Sequence, residues 1–210
     1  MAVPTFPMRK TKLACLIVAL ALFATQSLAV TRDEAMSLIA QINAKWAEVP
    51  AAQEHYKPAP AGWHQVAENS VPVTLSFPCA PQLLGSSNQS GADAFQYGCA
   101  KDGLIYGFVL LQRHADYSDE IAKAFLAGQE TSISGHFQGG AQNASIHPLH
   151  RVSYEGAWGR QEIYSSKNLS METRVLIRKN LAVELVVRSS SDMPQDAAET
   201  FFNSLRFKEP

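Results

Sequence analysis

Three of the six histidines, His136, His147 and His150, fall within a span of fifteen residues beside Gly139-Gly140. Imidazoles at that density are candidate ligands for zinc or copper. The surrounding pattern does not complete such a site. His147-Pro148-Leu149-His150 reads as strand or turn, and in an extended chain the i, i+3 pair points to opposite faces. No nearby Cys or paired carboxylate fills out a ligand shell, so these histidines read as polar surface groups, with metal ligation as the alternative. His114, Asp116 and Ser118 supply the residue types of a hydrolytic triple, as almost any chain of this length does. The sequence holds no G-x-S-x-G elbow and no H-E-x-x-H, and Gly85-Ser86-Ser87 lacks the Lys and the helix of a phosphate loop. No catalytic residue, no metal and no cofactor is assigned, and the residues favour a non-enzymatic protein.

The cysteines are more informative. Cys15 belongs to an N-terminal leader, which leaves Cys79 and Cys99 as an even pair. In an oxidising compartment such a pair is most simply a disulfide, closing a loop of about 20 residues that contributes on the order of 3 kcal/mol in the chain-entropy model. A redox or metal pair is the alternative, but the spacing is not C-x-x-C and no second pair completes a zinc knuckle. Tyr154, Trp158 and Arg160 cluster around the turn residues Glu155-Gly156 and are the residue types that anchor interfaces. The competing reading places Trp158 in the core. Asn88-Gln89-Ser90, Asn143-Ala144-Ser145 and Asn168-Leu169-Ser170 are glycan acceptors only if the chain is a secreted eukaryotic protein.

The leader itself has three parts. Arg9-Lys10-Thr11-Lys12 is cationic, Leu13 to Ala24 is apolar, and Gln26-Ser27-Leu28-Ala29 ends on small residues. Twelve apolar residues are too few to span a bilayer of about 30 Å, and the order is that of a cleaved secretory signal. Cys15 sits at the start of the apolar run, not after it, so the lipobox reading fails. Cleavage after Ala29 leaves 181 residues. Those carry 15 basic against 19 acidic groups, a net charge of −4, which offers neither nucleic acid nor anionic lipid an attractive surface. With 46% hydrophobic and 18% charged residues the chain is neither disordered nor a polytopic membrane protein.

The elements that must position these residues follow from periodicity. Thr31-Arg32-Asp33-Glu34 is a capping box, and Met36, Leu38, Ile39, Ile42, Trp46 and Val49 continue it as an amphipathic helix over 32–48. Pro50 to Gly62 reads as an extended connector. Strands are expected over 63–67 and 71–77, a small-residue loop over 85–93, and a hairpin of 95–100 with 104–112 turning at Asp102-Gly103. A helix begins at Ser118 or Asp119 and carries Ile121, Ala124, Phe125 and Ala127. Four strands follow, over 145–153, 157–165, 169–178 and 181–188. A last helix begins after Ser191 or Asp192, with Pro194 in its first turn and Ala197, Ala198, Phe201, Phe202 and Leu205 as its apolar stripe. Hairpin-linked strands separated by helices predict an α+β fold with a mainly antiparallel sheet flanked by helices. The divisions are a signal peptide over 1–29, a helix and connector over 30–62, and one domain over 63–210.

Val73-Thr74-Leu75-Ser76-Phe77-Pro78-Cys79-Ala80-Pro81, after Trp63, resembles the apolar-polar-Phe-Pro-x-x-Pro opening of PsbP-like and DcrB-like domains. Ala198-Glu199-Thr200-Phe201-Phe202-Asn203-Ser204-Leu205-Arg206-Phe207 is similar to the Phe-x-x-Ser-Leu/Phe-x-Phe helix that closes them. The resemblance spans about 63–207 and rests on packing motifs. It implies an α/β/α sandwich, and it implies a role in binding other proteins, as in photosystem assembly, nuclear import or bacterial envelope functions. It carries over no ligand residue. The combined expectation is an exported, periplasmic or secreted binding or assembly protein whose partner is another envelope protein, with no nucleic acid, no stable membrane insertion after signal cleavage and no cofactor. The alternative is a small periplasmic hydrolase or metal-binding protein using the His136/His147/His150 region.

Overall fold

The three-dimensional structure is a computed structural model that describes residues 51–66, 71–89, 91–126, 145–146, 150–166, 169–190 and 193–208. The leader, the 32–48 helix with Trp46, His136, His147, Asn143, Asn168 and the Ser191/Asp192 cap lie outside the described residues.

Alternating or wholly apolar runs rich in β-branched residues build strands, and tight turns join them. In chain order the strands are β1 (Ala51–Glu54), β2 (His64–Val66), β3 (Val73–Phe77), β4 (Gln82–Gln89), β5 (Ala92–Lys101), β6 (Leu104–Arg113), β7 (Ser145–Ile146), β8 (His150–Tyr154), β9 (Ala157–Ser166), β10 (Leu169–Arg178), β11 (Leu181–Ser189) and β12 (Arg206–Phe207). Among the described residues, helix is confined to α1 (119–126) and α2 (Gln195–Asn203). Asp102 and Gly103 both adopt positive φ, 51° and 80°, which is the conformation a two-residue hairpin needs between β5 and β6. Glu155-Gly156 turns β8 into β9 in the same way, at 48° and 75°. Ser118 Oγ caps α1 by accepting the Ile121 N–H at 3.3 Å.

Nine strands form one sheet in the order β1-β8-β9-β10-β11-β6-β5-β4, with β7 alongside β9; β12-β3-β2 form a second, small sheet. Every pairing in the large sheet is antiparallel except β1 with β8. β11 lies between β10 and β6 and is buried on both faces from Leu181 to Val187, as its continuous apolar run requires. One face of the large sheet packs on α2 and the small sheet through Phe77, Tyr106, Phe108, Leu185, Phe201 and Phe202. The Phe201 ring lies 5.0 Å from Phe77 and 5.3 Å from Tyr106. The opposite face packs on α1 through Ala122, Leu126, Val175, Ile177 and Ala182.

Three expectations are corrected. The fold is predominantly β, not the α+β arrangement of a sheet flanked by helices that an α/β/α sandwich requires. Among the described residues the helices that cover the sheet span eight and nine residues, and a three-stranded sheet does much of the covering on one face. Of the expected 85–93 loop, 85–89 belong to β4 and 92–93 to β5: Gly, Ser and Asn have poor strand propensity, but pairing between the two strands overrides it. The connector after Pro50 contains β1, whose parallel partner lies a hundred residues away and leaves no local signal.

Gly159 permits the closest approach in the sheet. A Cβ built there would lie 1.8 Å from the Val175 carbonyl oxygen on β10. Backbone cannot yield as a side chain would, so Gly159→Ala should lower stability by about 3 kcal/mol or more, seen as a lower urea midpoint with an unchanged slope.

Candidate functional site

Charged side chains interrupt the apolar strands at two places, and each set is drawn into the interior on one face of the large sheet. On the α2 face, β10 contributes Glu172 and Arg174, and Arg174 is only 1% exposed. Its Nη1 donates to Asn203 Oδ1 at 2.7 Å and its Nε to Gln161 Oε1 at 2.8 Å. The Gln161 amide donates in turn to Glu172. The guanidinium sits 5.1 Å from the Phe202 ring centre and 5.8 Å from that of Tyr154, and 4.0 Å from the Glu54 carboxylate. Burial pulls the Arg174 pKa down, opposed first by Glu54. Burial pushes Glu172 up, opposed by the Gln161 hydrogen bond and by Arg174.

Asn203 is the last residue of α2, where carbonyl groups lack intrahelical donors. The Tyr154 hydroxyl donates to the Asn203 carbonyl at 3.0 Å and also faces the Leu205 carbonyl. The Lys57 N–H supplies a further bond to Asn203, at 2.8 Å. The next residue, Ser204, accepts the Ser76 N–H at 3.2 Å and places its hydroxyl 2.8 Å from the Phe201 carbonyl. One dipeptide thus fastens the helix to both sheets.

On the α1 face, β9 contributes Arg160 and Glu162, 1% and 2% exposed, and β11 contributes Glu184 at 7%. Arg160 Nη1 pairs with Glu162 Oε1 at 3.3 Å, and the Tyr164 hydroxyl donates to Glu162. Burial raises the Glu184 carboxyl to about 7, against the pull of Arg160 and with a push from Glu162. Chemically this is a titratable carboxyl inside the sheet, beside an ion pair that already engages the guanidinium.

The residues singled out in the sequence are dispersed. Cys79 and Cys99 are joined as a disulfide, with Cα atoms 6.0 Å apart, tying the end of β3 to β5. Tyr154 and Arg160 are buried, and Trp158 is half-buried against the α1 core, so the three do not form an exposed patch. His150 is exposed at the start of β8. His114 lies 3.7 Å from Asp93, the Asp116 carbonyl accepts from Arg113 at 3.4 Å, and Ser118 is occupied as a helix cap; these three are not assembled into a triple. Among the described residues no group of three His, Cys, Asp or Glu side chains could hold a metal ion. Sequence reasoning passed over Glu172 and Arg174, because alternation in β10 makes them look like a solvated face, and over Glu184, a single acid inside the apolar run of β11. The available signal was Asn203-Ser204, two polar residues inside an apolar helix end.

No family model and no curated protein matches the chain. Among solved structures it is similar to an uncharacterised protein from Mycobacterium smegmatis, with 11% identity and a TM-score of 0.29 over 57% of this chain and 65% of that one. The chain thus spans less than two thirds of that protein's length.

Because the Glu184 pKa is higher folded than unfolded, the native state binds the extra proton between about 4.5 and 7. Stability therefore falls as pH rises through that window, with the penalty fully present above 7. Glu184→Gln should be more stable than the parent at pH 8, on the order of 1–3 kcal/mol, with the gap closing towards pH 5 in urea titrations at the two values.

Proposed function

We propose that this chain is an exported protein of the bacterial envelope, periplasmic or secreted, that works by binding another envelope protein and not by catalysis. The observation that carries this reading is the Cys79–Cys99 disulfide, since such bonds persist in oxidising compartments and are rare in the cytosol. It is supported by the tripartite leader over 1–29. Among the described residues no helix is long and apolar enough to cross a membrane. The most deeply buried charged groups are engaged by neighbours in the chain: Arg174 by the Asn203 and Gln161 amides and Glu54, and Arg160 by Glu162. That is the pattern of charges used for architecture. The resemblance to PsbP-like and DcrB-like domains over about 63–207, a family whose known members mostly bind proteins, supports the same role.

Fractionating cells that express the full chain tests the reading. The expected outcome is an envelope-fraction protein shortened by residues 1–29, with no thiol reactive before reduction and with a partner captured from envelope extract. A full-length cytosolic product with free Cys79 and Cys99 would contradict it.

A further inference from the structure

The large sheet ends in two edges of different character. At one end β1 is four residues long, carries Glu54 and follows Pro50, so charge, brevity and a missing donor all discourage further pairing. At the other end β4 is eight residues long and reads Gln-Leu-Leu-Gly-Ser-Ser-Asn-Gln, with no charge and no proline. Among the described residues β4 pairs only with β5. Ser86, Ser87 and Asn88 are exposed, and Leu83 at 52% is the most exposed large apolar side chain among the described residues. Proteins ordinarily blunt a long edge with Lys, Pro or a bulge. Here the bulge lies between Leu83 and Gly85, which leaves Gly85–Gln89 in regular register.

We propose that β4 is a docking edge for a second copy of this chain, the two strands pairing antiparallel about a two-fold axis through Ser87. The register makes this self-complementary. Ser86 and Asn88 pair with Phe95 and Asp93 of β5, on one face, while Ser87 pairs with Ala94, on the other. Centring the axis on Ser87 sets Ser87 against its own copy and Ser86 against Asn88 of the other, with like faces together. Asn88 Nδ2 already donates to Asp93 Oδ1 on β5, but its amide oxygen can accept from the Ser86 hydroxyl of the other copy, and the two Ser87 hydroxyls can bond to each other. A strand bearing charge would repel its own copy, and one bearing Pro would lose main-chain bonds. The neutral, amide-and-hydroxyl chemistry of β4 fits a copy of itself better than a charged partner strand. Such a contact is isologous and closes at two copies. It buries a small area, so the dimer is weak and concentration-dependent.

Sedimentation velocity on the purified full chain, over a concentration series from roughly 1 µM to 500 µM, tests this independently of cellular address. The expected result is a monomer–dimer equilibrium that Ser87→Lys and Ser87→Glu each weaken by about tenfold or more, because like charges then face each other. Mixing the two variants should restore association, since opposite charges then meet at the axis. The double variant Ser86→Lys, Asn88→Lys, which sets like charges at both flanking pairs, should also be monomeric; it serves if either Ser87 substitution lowers the melting midpoint. A parent protein that stays monomeric throughout the series overturns the proposal. So do variants that dimerise as the parent does, or a mixture that stays monomeric.

Discussion

The structure depends on how it closes the C-terminal end of α2. The last carbonyls of a helix have no intrahelical donors, and a helix end buried between two sheets cannot turn to water for them. Donors come instead from Tyr154, from the Lys57 backbone and from Ser204, while the Asn203 side chain accepts from Arg174. A buried guanidinium at this end also suits the negative pole of the helix. Arg174 itself is tolerable inside because Asn203, Gln161, Glu54 and two aromatic rings surround it. Helix, small sheet and large sheet therefore share one polar joint, and removing one member leaves a buried hydrogen bond unmade at its neighbours.

That joint shows how the chain uses its charged residues. Each inward-facing charge on the large sheet lies beside other polar groups of the same sheet or of the elements that cover it. Glu184 is the partial exception, with a second carboxylate already beside the nearest guanidinium. The disulfide adds a covalent tie between the small and large sheets, from the end of β3 to β5.

How legible this was in the sequence varied with the range of the interactions. The β5–β6 hairpin, the strands over 169–178 and 181–188 and the Ser118 cap were readable, because turn chemistry and apolar periodicity are local. The Cys79–Cys99 bond was readable from arithmetic and compartment. β1 and β4 were not, since their strand state is conferred by β8 and β5 and not by their own residues. Layering was misjudged for the same reason: the resemblance supplied packing motifs, and those motifs fit a small sheet over a large one as well as they fit a helix. In β10, Glu172 and Arg174 occupy the alternate positions of a half-buried strand, yet α2 covers the face they share. Periodicity tells which residues share a face but not whether anything packs on it.

The most direct test of this account is a double-mutant cycle in urea between Arg174 and Asn203. If the joint holds as described, Arg174→Met and Asn203→Ala each cost about 1–3 kcal/mol, and the double variant costs well under their sum. Single costs below about 1 kcal/mol, or strict additivity, would show that α2 is held by its apolar stripe alone and that the polar joint is incidental.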